Sequence, residues 1–206
     1  MQLCLSFLDQ QHGAVINGPY RYLLWRIWDP RQSRLLWVML NPSTADETTN
    51  DPTLRRILGF SRASGFGGLE VVNLFALRSP SPKALLLAPD AVGPENDRYI
   101  QEAVTRAEKI VAAWGNEGAR DGRERAVLSR ISRPVFCLGT TNLGHPRHPL
   151  YVKAQTELCP LERIQHWSGE DRLACQQQKA DGKSTENTFP RQRKRCYKEK
   201  QTQEAQ

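Results

Sequence analysis

The sequence predicts a single α/β domain of three layers, with helices on both faces of a central, mostly parallel four-stranded sheet and one N-terminal antiparallel hairpin strand added to it. Two observations carry this prediction. The runs 35–40, 69–74, 109–114 and 134–138 are apolar without in/out alternation, which is how strands buried on both faces read. Segments with apolar residues at helical spacing separate them, and a repeating order of strand and helix implies parallel strands joined by right-handed crossovers.

Taken in order, residues 1–19 have no sustained period and close on the turn signal Asn17-Gly18-Pro19, so they are expected to form an N-terminal extension. Residues 20–28 are aromatic and β-rich. Tyr22, Leu24 and Arg26 alternate against Leu23, Trp25 and Ile27 up to Asp29-Pro30, and the next run starts at Leu35. So short a connection predicts a hairpin between the two, with the first strand at a sheet edge. Asp51 is a good N-cap and Pro52 suits the first helical position. Leu54, Ile57, Leu58 and Ser61 then follow at helical spacing to an end near Ser64-Gly65. A second helix is expected over 95–107, with Ile100, Ala103, Val104 and Ala107 on one face, and a charged third over 118–131. The domain is thus placed at 20–164. Residues 165–206 are polar and contain the basic run Arg191-Gln192-Arg193-Lys194-Arg195, which predicts a disordered tail from about residue 170.

A chain of 206 residues supports one domain with a real core. No apolar run approaches the roughly 20 residues needed to cross a bilayer. Residues 1–15 lack a basic leader and meet Asp9 early, which argues against a secretory signal and for a cytoplasmic protein with no membrane contact. The five cysteines are odd in number and contain no CxxC pair, which excludes a disulfide framework and a zinc knuckle and suits a reducing compartment. Cys137 reads as a small core residue. A net charge of +7 favours a polyanionic partner.

In an open α/β sheet, ligands bind beyond the carboxyl ends of the strands. There the first run passes abruptly into Asn41-Pro42-Ser43 and Asp46, the second ends at Asn73 before Phe75, and the last leads to a stiff loop with His145, His148 and Tyr151. Such a rim can hold a flat polar ligand: an Asn side chain offers a donor and an acceptor to a base edge or a water, and Phe75 and Tyr151 offer stacking surfaces. The same residues also read as a plain strand exit, with Asn41 and Ser43 as turn formers and the histidines on the surface. Trp25, Trp28 and Trp37 read as core or hairpin packing. Prolines between His145 and His148 break the helical spacing a zinc pair would use, so no metal is expected there. Asp46, Glu47 and Asp51 could meet magnesium and phosphate, but acids in a Thr/Asn loop serve equally as caps. Gly115-Asn116-Glu117-Gly118 could face an anion, although it lacks the lysine of a P-loop. No cofactor is expected.

The segments LNPSTAD, DPTLRR, NLFALRSP, GPENDRYI, AAWG and GHPRHPLY, in that order over about residues 20–160, resemble domain-of-unknown-function family 1643. A more distant resemblance is to the uracil-DNA glycosylase superfamily. There a G-I-N-P-G strand exit is similar to Met39-Leu40-Asn41-Pro42-Ser43, a base-pairing asparagine to Asn73, a W-G dipeptide to Trp114-Gly115, and an H-P-S-P-L-S loop to 145–150. The departures are the missing leading glycine, Arg147 in place of a small residue, and no serine after the second proline. This resemblance implies a glycosylase-like α/β/α fold. It implies that Asn41 orients water, that Asn73 and Phe75 seat a base, and that His148 or His145 stabilises the departing base. From their place on the rim, Pro42, Ser43, Asp46 and Tyr151 are expected around the substrate. The expected function is binding of a nucleobase, nucleotide or nucleic acid, extending to N-glycosidic hydrolysis. The alternatives are a non-catalytic module for a small nucleotide or protein partner, and an enzyme acting on a free nucleoside.

Overall fold

The computed structural model describes residues 12–43, 45–79, 85 and 88–161; the expected tail lies outside them. Strands β1 (His12–Asn17), β2 (Tyr20–Ile27) and β3 (Arg34–Met39) precede helix α1 (Pro52–Ala63), which leads to β4 (Gly68–Asn73). Helix α2 (Asn96–Arg106) and β5 (Lys109–Ala112) follow. A 3₁₀ segment (Asn116–Gly122) then runs into α3 (Arg123–Leu128), β6 (Val135–Cys137), a 3₁₀ turn (Pro149–Tyr151) and β7 (Cys159–Pro160).

The strands form one mixed sheet of seven, in the order β1-β2-β4-β3-β5-β6-β7. This corrects the expected four-stranded, mostly parallel sheet. The pairings β4 with β3, β3 with β5 and β5 with β6 are parallel, whereas the pairings of β1 with β2, β2 with β4 and β6 with β7 are antiparallel. The expected hairpin of β2 with β3 is also replaced. Strand β4 lies between them, and β2 makes its hairpin with β1, drawn from the stretch expected to be an extension. The reason is burial. Every residue from Arg21 to Ile27 is buried, so β2 needs a neighbour on each edge as well as cover on each face, and an edge position would leave one side open.

Two apolar layers sandwich the sheet. On one face Leu35, Trp37 and Leu69 pack against Leu54, Ile57 and Phe60 of α1. On the other Leu36, Val38 and Ile110 meet Ile100, Ala103 and Val104 of α2 and Val127 of α3. Helix α1 starts as its sequence predicts: Asp51 Oδ1 accepts from the Leu54 amide at 2.7 Å, with Pro52 in the first turn. Trp37 Nε1 donates to Ser61 Oγ at 3.0 Å, pinning that helix to the central strand. The expected helix 118–131 is shorter than its charge pattern suggests. Asp121 and Gly122 both take positive φ, 51° and 69°, a left-handed break that leaves only six residues of α3 beyond it.

Strand β2 carries one irregularity that matters for the site. Val15 pairs with Leu23 but Ile16 pairs with Arg21, so Tyr22 is an extra residue and the strand bulges. A bulge reverses the facing of everything beyond it. Arg21 therefore shares a face with Leu24, which simple alternation forbids, while Tyr22 stacks on Tyr99 of α2 at 5.1 Å.

Buried Glu70 of β4 bridges Arg34 of β3 and Arg106 of α2 at 3.3 and 2.8 Å. Glu70→Ala leaves both guanidinium groups facing a vacated site and is expected to cost about 2–4 kcal/mol. Urea unfolding measures this, and a loss below about 1 kcal/mol would show that the bridge is only a surface ornament.

Candidate functional site

Four strands, β4, β3, β5 and β6, run parallel as neighbours, so their carboxyl ends emerge on one edge of the sheet. A cavity of about 690 Å³ opens there, within the range that holds nucleotide-sized ligands. Its apolar wall is Leu24, Met39, Val71, Leu54 and Ile57, continuous with the α1 side of the core. Its polar wall is built from the strand exits: Asn41 and Ser43 after β3, Asn73 at the end of β4, Trp114 to Glu117 after β5, and Thr141, Asn142, Arg147 and His148 after β6.

The exits are held by defined bonds. The Phe75 amide donates to Leu40 O at 2.9 Å and the Ser79 amide to Pro42 O at 2.9 Å, zipping the segment after β3 to the segment after β4. Asn41 Nδ2 completes the zip by donating to Pro42 O at 3.1 Å and Ser79 O at 2.9 Å, which leaves Oδ1 as its uncommitted acceptor. Gly115, with φ 72°, donates its amide to Pro146 O at 2.8 Å and so joins the β5 exit to the loop after β6. Behind that loop lies the buried carboxylate of Glu124. Its Oε2 receives Trp114 Nε1 at 2.8 Å and His145 Nδ1 at 3.0 Å. From the α1 side, Arg56 Nε donates to Pro149 O at 3.2 Å and Nη2 to Val152 O.

Of the expected site residues, Asn41, Ser43, Asn73, His148 and Tyr151 line this one cavity. The others are elsewhere. His145 is buried on Glu124 and anchors its loop. Phe75 is buried in the core on the α2 side, where the Arg120 guanidinium lies 5.9 Å from its ring. Pro42 is buried and contributes its carbonyl to the zip. Asp46 caps its own loop: the amides of Thr49 and Thr48 donate to Oδ1 and hold the carboxyl below the usual carboxylate range.

Arg21, Thr141, Asn142 and Arg147 belong to the cavity without having been singled out for it, while Asp51 and Asn116, weighed in the sequence only as phosphate or anion contacts, also line it. A positional signal existed for Asn116 and Asn142, which follow strand ends as Asn41 does. None existed for Arg21, whose facing depends on the bulge. Among the described residues no group of three or more His, Cys, Asp or Glu stands at metal-binding spacing, and no helix is long and apolar enough to cross a membrane.

Two polar groups define the chemistry available. Asn73 is 2% exposed and its Oδ1 has no hydrogen-bond partner, an arrangement costly to bury unless something else fills it. His148 Nδ1 accepts from the Leu150 amide at 3.4 Å, which fixes the proton on Nε2 in the neutral ring. Burial holds this imidazole below its usual pKa, against the pull of Asp51, so at neutral pH it is an uncharged donor.

A family model of proteins of unknown function, DUF1643, matches residues 21–150. The chain belongs to that family. The span begins at Arg21 and ends one residue short of Tyr151, so the DUF1643 region contains every other residue of the cavity wall. No curated protein and no solved structure matches the chain.

Because the folded-state pKa of His148 is depressed, the unfolded chain takes up its proton first as the solution is acidified. Its contribution to stability is complete above the ordinary value of 6.5 and is lost as pH falls through the lower folded value. Thermal melts from pH 8 to pH 5 should therefore show a larger drop in Tm for wild type than for His148→Gln. Parallel curves would show that this ring is not shielded from water.

Proposed function

We propose that the cavity binds a nucleobase-containing ligand and hydrolyses its N-glycosidic bond. The observation that carries this reading is Asn73, an almost fully buried amide with an unsatisfied oxygen in the wall of a nucleotide-sized cavity. A flat heterocycle with a donor and acceptor edge answers such a group, as a hydrocarbon would not. In this reading Trp114, in the wall beside Gly115, offers a ring face to the base. His148 donates from Nε2 to negative charge developing on the departing base, help commonly worth about 3 kcal/mol per donor. Asn41 Oδ1 accepts from the attacking water, the amide being held in one orientation by two loop carbonyls. The roles of Asn41, Asn73 and His148 are those implied by the resemblance of 39–43, Asn73 and 145–150 to uracil-DNA glycosylase motifs, whereas Phe75 and His145, which it also implied, lie away from the cavity.

One observation favours a binding module without catalysis. Both donors of Asn41 serve the loop, which is what a purely architectural asparagine does. Turnover separates the two readings. Purified full chain is incubated with nucleosides and with oligonucleotides containing uracil, hypoxanthine or alkylated bases, and free base is measured. Release that falls at least about 100-fold in Asn41→Ala supports hydrolysis with a water-orienting Asn41. Binding with no release from any substrate supports the module.

Asn73→Leu keeps the branched shape and heavy-atom count of the side chain and removes an unsatisfied oxygen. Calorimetric titration with nucleosides is expected to show affinity reduced about ten- to a hundredfold, with Tm unchanged or higher. Undiminished affinity in that variant, or a wild type that binds no nucleoside, would remove the base-seating role.

A further inference from the structure

We infer that Arg21 is the floor of an anion subsite in this cavity, and that the ligand is a phosphate-bearing nucleotide rather than a free base or nucleoside. The inference deepens the reading proposed above and rests on it for the nucleotide half; the anion half stands on Arg21 itself.

The comparison with Arg26, on the same strand, shows what is unusual. Both guanidinium groups reach the loop after Asn41. Arg26 commits every nitrogen: Nε to Asn50 Oδ1 at 3.0 Å, Nη1 to Trp25 O at 2.9 Å and Nη2 to Asp46 O at 2.8 Å. It is fully occupied holding the loop and does not line the cavity. Arg21 donates once, from Nη1 to Ala45 O at 2.6 Å. Its Nε is buried without a partner, the residue is 5% exposed, and it forms part of the cavity wall. A guanidinium in a cavity wall with donors left over after one hydrogen bond is the kind of group that receives a phosphate or carboxylate.

No described carboxylate fills that role. Asp51 and Asp46 are near enough to act on Arg21 electrostatically, yet neither forms an ion pair with it. Asp51 gives Oδ1 to the first turn of α1, and Asp46 gives Oδ1 to the amides of Thr48 and Thr49. Burial lowers the pKa of Arg21 to about 10, with Asp51 opposing and the like charges of Arg78 and Arg26 adding to the fall, so it remains a cation at neutral pH. Arg147 and Glu117 are the other charged side chains on the wall, and Arg147 is exposed, where it can meet a second phosphate oxygen as the ligand enters. The bulge at Tyr22 is what aims Arg21 here. Without it the side chain would lie on the opposite face, so the fold departs from regular pairing where this cation is delivered.

The test is calorimetric titration of the full chain with the common nucleosides, their 5′-monophosphates, ribose 5-phosphate and inorganic phosphate. Monophosphates are expected to bind roughly ten- to a hundredfold tighter than the matching nucleosides, with inorganic phosphate competing. Arg21→Gln should erase that difference, Arg21→Lys should keep part of it, and Arg147→Gln should reduce it by a smaller factor. Should Arg21→Gln fail to fold, the wild-type comparison and Arg21→Lys decide. Equal affinity for nucleosides and monophosphates overturns the subsite, makes Arg21 a structural cation only, and leaves the base reading intact. Binding of ribose 5-phosphate and inorganic phosphate with no gain from any base keeps the subsite and overturns the base reading. Binding of no probe overturns both.

Discussion

One buried carboxylate, that of Glu124, holds the cavity wall in place. It sits in the first turn of α3, yet its Oε2 receives the indole of Trp114 from the end of β5 and the imidazole of His145 from the loop after β6. A carboxylate this deep is tolerated only when donors surround it, so the three elements cannot separate without exposing an unsatisfied charge. The packing is tight as well as polar: a Cβ on Gly118 would fall 2.0 Å from Trp114 Cδ1, so the chain must be glycine where it passes the indole. With Trp114 and His145 fixed, the bonds from Gly115 to Pro146 O and from Arg147 to Gly139 O follow. Together they set where Asn116, Arg147 and His148 face the ligand space.

The opposite wall has a different origin. It is the upper end of the α1-side core, where Leu54 and Ile57 of the helix and Leu24, Met39 and Val71 of the sheet run out before the apolar space is filled. The cavity is therefore part hydrocarbon and part hydrogen-bonding rim, the combination that selects a flat molecule with one polar edge. Arg56 links the walls by tying α1 to the carbonyls around the Pro149–Tyr151 turn. Tyr151, 79% exposed, stands at the mouth, and its ring lies 5.7 Å from that of His148.

What the sequence made legible was local. Asp51 and Pro52 announce α1, unbroken apolar runs announce β3 to β6, and abrupt changes to Asn or Gly mark the exits that form the rim. These signals work because capping, burial on two faces and strand termination each depend on a few adjacent residues. What failed was non-local. Alternation in β2 does not say whether its partner is β3 or β4, and β1 lacks a period long enough to stand out. The bulge that turns Arg21 toward the cavity exists only in the pairing of two strands. His145 and His148 illustrate the same limit at the site. Three residues apart in one loop, they are alike in sequence, yet one is consumed by Glu124 and the other opens onto the cavity.

The most direct measurement is backbone and side-chain amide NMR of the ¹⁵N-labelled full chain while a nucleoside 5′-monophosphate is added. Shifts concentrated at the Asn73 side-chain amide and at the amides of Gly115, Asn116, Asn142 and Arg147 are expected, with α2 and the β1–β2 turn unmoved. Shifts spread over those distant elements, with the strand exits silent, would contradict the claim that these separated residues form one ligand site.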